Sequence, residues 1–136
     1  MIPAAPMDLG RIDRRRADNN ALAAPPWYSP LPDILTRRRP VPPARLYAAL
    51  RQVAQTQPRT SLQAAYDERL QAHYVVRRKL LPLTDLVAVQ VTPASEVILW
   101  SRSRHGAFDF ARHRDRLVTW LAALDTQLGE TTAAPT

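Results

Sequence analysis

The chain contains no cysteine. Disulfide frameworks, thiolate zinc sites and cysteine nucleophiles are therefore excluded, and the redox compartment stays open. Glycine is scarce, with three in 136 residues. That is too few for a phosphate-cradling glycine loop. Lysine occurs once, at Lys79. No apolar run approaches the roughly 18 residues that span a bilayer as a helix. The opening MIPAAPMDLGRIDRRR places its charges after a short apolar block, the reverse of a secretory signal. These absences lead us to expect a protein that is cytoplasmic or peripheral to a membrane complex.

Arginine and proline are abundant instead. Eighteen arginines and one lysine stand against twelve acids, for a net charge of +7. Such an excess attracts polyanions, whether nucleic acid, anionic lipid or an acidic protein face. A GC-rich genome also writes arginine in place of lysine, so both readings stay open. The length suits one domain with a modest core.

Nine of the thirteen prolines fall in residues 1–43. Proline lacks a backbone donor and has a fixed φ, so this region is expected to be extended rather than helix or central strand. Residues 1–20 read as a flexible basic tail and residues 21–43 as an extended Pro-rich arm. The arm carries Trp27, Tyr28, Leu31, Ile34 and Leu35. That apolar density is foreign to a disordered tail, so the arm is expected to lie across the domain or a partner.

Residues 44–129 read as a single α+β domain. PPARLYAALRQVAQTQP predicts a helix that Pro43 opens and Pro58 ends, with Leu46, Leu50 and Val53 on one face. From Thr60 to Arg104 the apolar period becomes two, which predicts four strands. Short connections imply antiparallel pairing. DFARHRDRLVTWLAALDTQLG predicts a second helix, with Asp109 before it, Gly129 after it and Leu117, Leu121, Leu124 and Leu128 in a stripe. The expected fold is an antiparallel sheet of four to five strands with both helices packed on one face, preceded by the arm. Residues 130–136 should be a disordered tail.

The segment ILWSRSRHGAFDFARHRDRL, residues 98–117, concentrates positive charge where the last strand turns into the last helix. Arg112, Arg114 and Arg116 stand at the helix N-terminus, where the partial positive charge of the backbone disfavours cations. Two compensations are available. Asp85, Asp109 and Asp115 supply ion pairs, or an external anion sits near Arg102, Ser103, Arg104, Arg112 and Arg116. Trp100 shares a strand face with Arg102 and Arg104, a composition suited to recognition. Alternatively, the arm covers it with Trp27 and Tyr28. Trp27, Tyr28 and Trp100 are thus the candidate partner contacts.

Other chemistry is weakly supported. His105 and His113 lack a third metal ligand at a recognisable spacing. Ser103, His105 and Asp109 contain the letters of a triad but lie too close along the chain to align, and there is no nucleophile elbow. No known nucleic-acid module is present, so a nucleic-acid partner is not expected. We expect no metal and no cofactor.

The segment LTDLVAVQVTP…SEVILWSRSRHGAFDFARHRDRLVTWLAAL resembles the C-terminal half of a bacterial and plastid family, domain of unknown function 1499. The resemblance rests on Asp85, Ser101, Ser103, Arg104, Gly106, Asp109, Arg114 and Arg116. NNALAAPP and RRRPVPPARLYAALRQV resemble its opening segment and first helix, so the likeness runs over roughly residues 18–125. The family usually has glycine and asparagine where this chain has Ala111 and His113, and often a cysteine in its opening segment. Many members carry membrane or export segments. The resemblance implies a polar knot of Asp85, Asp109, Arg104 and Arg116, and no biochemical activity.

Three functional readings follow in order. The first is a non-catalytic domain that binds another protein as an accessory subunit or peripheral factor. The second is a domain that binds a small anionic ligand or a lipid at the arginine corner. The third is an enzyme, for which Asp85 with Asp109 is the only acid–base pair that can be named.

Overall fold

The computed structural model describes residues 6–9, 19–29, 31–80, 82–104 and 109–129. The elements in chain order are β1 (Asn20–Ala24), β2 (Ile34–Leu35), α1 (Pro43–Thr56), β3 (Thr60–Tyr66), β4 (Gln71–Arg77), β5 (Thr84–Val91), β6 (Val97–Ser103) and α2 (Phe110–Gln127). A 3-10 turn at Asp67–Arg69 joins β3 to β4, with Leu70 left-handed at its end. The strands form one six-stranded sheet in the order β2-β1-β6-β5-β4-β3.

The sheet is mixed, and this corrects the expectation of an antiparallel sheet of four to five strands preceded by an arm. The region assigned to the arm supplies two strands. β1 pairs antiparallel with β6, matching Ala21 with Ser101 and Ala23 with Leu99. β2 pairs parallel with β1 through Ala23–Ile34 and Ala24–Leu35. The reason is local. Proline density suggested coil, yet no proline falls between Pro6 and Pro25, so Asn20–Ala24 contains none. Pro25 and Pro26 end the strand and do not interrupt it. Asp33 then replaces missing ladder contacts: its carboxylate accepts the Leu22 N–H at 2.9 Å, and its own N–H donates to the Leu22 carbonyl at 2.8 Å.

Period-two alternation gives the sheet two faces. Ala21, Ala23, Ala72, Tyr74, Val76, Val87, Val89, Val91, Val97 and Leu99 face the helices. Against them pack Leu46, Leu50 and Val53 of α1 and Leu117, Trp120 and Leu124 of α2. Trp120 meets Tyr74 edge-on at 5.8 Å between ring centres, a geometry that adds about 1 kcal/mol beyond burial. The small side chains of Ala21 and Ala23 leave room for α2 to approach.

The opposite face carries Leu22, Ala24, Ala88, Ile98 and Trp100, covered by Met7, Leu9 and Tyr28. Met7 is docked by its main chain. Its N–H donates to Gln71 Oε1 at 2.6 Å, and its carbonyl accepts from Gln71 Nε2 at 2.9 Å. Tyr28 therefore does cover the Trp100 face, while Trp27 turns outward. The remainder of the expected basic tail, 1–5 and 10–18, and the tail 130–136 lie outside the described residues.

Both helices are bounded as their sequences suggest. Pro42 and Pro43 open α1, and the chain turns extended at Gln57, before Pro58. Asp109 precedes α2, but its carboxylate makes no hydrogen bond to the helix N–H groups. Gly129 follows the last turn at φ +78°, a left-handed conformation that glycine adopts without strain.

Candidate functional site

The arginine corner lies where the end of β4, the start of β5, the end of β6 and the first turns of α2 meet. Asp85 is the second residue of β5 and is fully buried on the helix side. An isolated ionised carboxylate there is strongly disfavoured. Two arginines resolve this. Arg78, just past β4, places Nη2 2.9 Å from Asp85 Oδ1. Arg116, from the second turn of α2, places Nη2 3.1 Å from Asp85 Oδ2.

The network extends in both directions. Arg78 Nη1 also donates to Asp109 Oδ2 at 3.1 Å, and Arg112 Nε donates to the same oxygen at 2.5 Å. These bonds take the Asp109 carboxylate away from the helix cap. Arg116 Nη1 donates to Ser101 Oγ at 3.0 Å. Ser101 Oγ lies 2.8 Å from His113 Nδ1. With Arg116 already donating to Ser101, we assign the hydroxyl proton to His113 Nδ1 and the ring proton to Nε2. His113 Nε2 is buried with no hydrogen-bond partner among the described residues.

The electrostatics follow from burial and neighbours. Burial pushes the His113 imidazolium pKa down, to about 4; Asp85 and Asp109 oppose this, and Arg116 and Arg78 reinforce it. His113 is thus neutral at pH 7. Burial alone favours protonation of Asp109, but the hydrogen bond and charge of Arg112, with the charge of Arg78, outweigh it and hold the pKa below the usual carboxylate value. Asp109 consequently has no proton to donate near neutrality. Ser101 and His113 are both fully buried. That shields the hydroxyl from any substrate, although serine and histidine are within hydrogen-bonding distance.

The residues singled out from sequence separate into three places. Asp85, Asp109, Arg112 and Arg116 come together in the corner. Arg104 stands outside it: the side chain is exposed, and the backbone N–H donates to the Thr84 carbonyl at 3.3 Å. Ser103 is opposite Asp85 in the strand register. Arg102 belongs to the other face, with its guanidinium 4.6 Å from the centre of the Trp100 ring, a cation–π contact. Burial and the nearby Arg104 both lower the Arg102 pKa. Trp100 is buried and donates from Nε1 to Asn20 Oδ1 at 3.1 Å. Tyr28 is buried, whereas Trp27 is exposed and donates to Glu96. His105 and Gly106, and with them part of the weak metal and triad readings, lie outside the described residues.

Sequence reasoning missed Arg78. The alternation of β4 ends at Arg77, and nothing in RRK distinguishes the arginine that turns inward. It also missed the Arg39–Asp125 ion pair, which ties the segment after β2 to the last turns of α2. These partners are 86 residues apart.

Two clefts flank this framework. One, of about 190 Å³, is lined among others by Arg59, Thr60, Arg112, Asp115, Arg116 and Trp120. The other, of about 480 Å³, lies at the far end of the sheet by Tyr28 and Glu96. Among the described residues, no group of three or more histidine, aspartate or glutamate side chains is placed to hold a metal ion. No described helix is long and apolar enough to cross a membrane.

A comparison with known families matches residues 11–124 to a family described as a protein of unknown function, DUF1499. The chain belongs to the DUF1499 family. The match runs through β1 and β2 to the last turns of α2, so the two strands built from the proline-rich region lie within the DUF1499 domain. It also contains every member of the arginine corner. No curated protein and no solved structure matches this DUF1499 chain.

Proposed function

We propose that this DUF1499 chain is a non-catalytic domain that binds another protein along the outer edge of its sheet. The observation that supports the reading is an apolar run at that edge. Trp27, Leu31 and Leu35 are 63%, 80% and 61% exposed within nine residues. Large apolar groups concentrated on an otherwise basic surface mark an interaction site. β2 is two residues long and forms the edge of the sheet, so an incoming strand or loop reaches the backbone there. In this reading the arginine corner orders α2 against the sheet and takes no part in recognition.

The experiment is affinity capture from native extract with the full chain and with a Leu31→Asp/Leu35→Asp variant. A stoichiometric partner held by the wild type and lost by the variant supports the reading. Equal retention by both, with the variant folded, overturns it.

A second reading is favoured by the 190 Å³ cleft, where Arg59, Arg112 and Arg116 converge. It makes that cleft a site for a small anion. Thermal stabilisation of the wild type by inorganic phosphate, abolished in Arg59→Gln, supports this second reading. No stabilisation at any concentration removes it.

A further inference from the structure

The turn between β5 and β6, the loop after β1 and the segment Pro6–Leu9 converge at the end of the sheet away from the arginine corner. Together they enclose the 480 Å³ cleft. That volume suits a small organic molecule. Leu9, Ile98, Trp27 and Tyr28 give it apolar and aromatic walls. The two aromatic rings are 6.0 Å apart and tilted by 47°, forming an angled pair.

The charges around the cleft run against those of the protein. The chain carries a net charge of +7, yet Asp8 and Glu96 line the cleft against one arginine, Arg69. Glu96 is held in place by neutral donors. Trp27 Nε1 donates to it at 3.1 Å and Thr92 Oγ1 at 3.2 Å. Among the described residues no arginine or lysine forms an ion pair with it. Its negative charge is therefore oriented but not cancelled. The indole that donates to it is fixed by the same bond.

We infer that this cleft binds an organic cation, of the substituted-ammonium class. An ammonium head carrying methyl or methylene groups has an apolar surface for the aromatic walls and a positive charge for their π faces and for Glu96. An anion meets the Glu96 carboxylate there, and a neutral apolar ligand leaves that oriented carboxylate unanswered. The inference shares Trp27 with the edge-binding reading but not Leu31 or Leu35, so the Leu31→Asp/Leu35→Asp variant leaves the cleft intact and the two readings fail separately.

The test is calorimetric titration of the full chain with choline and with its neutral isostere 3,3-dimethylbutan-1-ol. Choline should bind saturably, and the isostere about tenfold more weakly, because only the charge differs. Glu96→Gln keeps an oxygen to accept from Trp27 and Thr92 and removes only the charge. It should weaken choline by about tenfold and leave the isostere unchanged. The absence of saturable choline binding, or equal affinity for the two probes, overturns the inference. The comparison of probes on the wild type decides without any variant.

Discussion

Arg78 and Asp85 face each other across the connection between β4 and β5, with Nη2 2.9 Å from Oδ1 and both side chains almost fully buried. Seven residues apart in sequence, they form the centre of a chain of polar contacts that runs from Arg112 to His113. The positive cluster that opens α2 at the wrong end of the helix dipole is explained by this arrangement. Arg116 and Arg112 answer carboxylates that come from β5 and from the residue before the helix, while Arg114 is exposed.

Removing one partner from this knot leaves a buried charge unpaired. Arg78→Met should lower unfolding free energy by about 3–5 kcal/mol. Arg104→Ala, at an exposed position, should change it by about 0.5 kcal/mol or less. Urea denaturation of the two variants beside the wild type checks the contrast. Equal, small effects refute the central place given to Arg78.

The pH dependence of stability should carry the mark of His113. Its folded-state pKa is about 4 against an ordinary value of 6.5. The unfolded chain therefore takes up a proton in that window and the folded chain does not. Stability is full above pH 6.5 and falls as the pH drops from 6.5 toward 4, by an amount on the order of 3 kcal/mol. Burial also lowers the His73 pKa, so the two histidines act in the same direction. Replacing His113 by Asn should flatten part of the slope. Thermal midpoints of wild type and His113→Asn at pH 7 and pH 4.5 measure the difference. Parallel profiles exclude a titrating role for His113.

The close approach of α2 to β1 depends on small side chains. Ala23 is fully buried against that helix. Ala23→Leu should destabilise by about 1–3 kcal/mol through overpacking. Leu9 is buried on the opposite face against Leu22 and Ile98. Leu9→Ala should cost about 2 kcal/mol or more by leaving a cavity. Denaturant titration of both variants tests whether β1 and the N-terminal segment belong to the cooperative unit. Unchanged midpoints place them outside it.

Much of the backbone pattern was legible along the chain. Leu46, Leu50 and Val53 recur at helical spacing, and Val87, Val89 and Val91 alternate, because local periodicity records which face meets the core. Pro43 and Gly129 mark helix ends for equally local reasons. β1 carried no such record. NALAA is buried along its whole length, so no alternation announces it, Leu22 is its single large apolar side chain, and the prolines that follow point toward coil.

By itself the sequence determined the two helices, the four strands β3 to β6 and the residue types at the corner, because backbone dihedral preference and binary pattern act over a few neighbours. Tertiary structure decided that β1 joins the sheet, since its antiparallel partner β6 lies about eighty residues away, with Asn20 opposite Arg102 and Leu22 opposite Trp100; the parallel pairing of β2 with β1 then makes the sheet mixed. It also decided which arginines the aspartates take. A carboxylate buried by packing recruits whichever guanidinium the surrounding strands bring within hydrogen-bonding distance. That selection placed Arg78 inside the knot and left Arg104 at the surface.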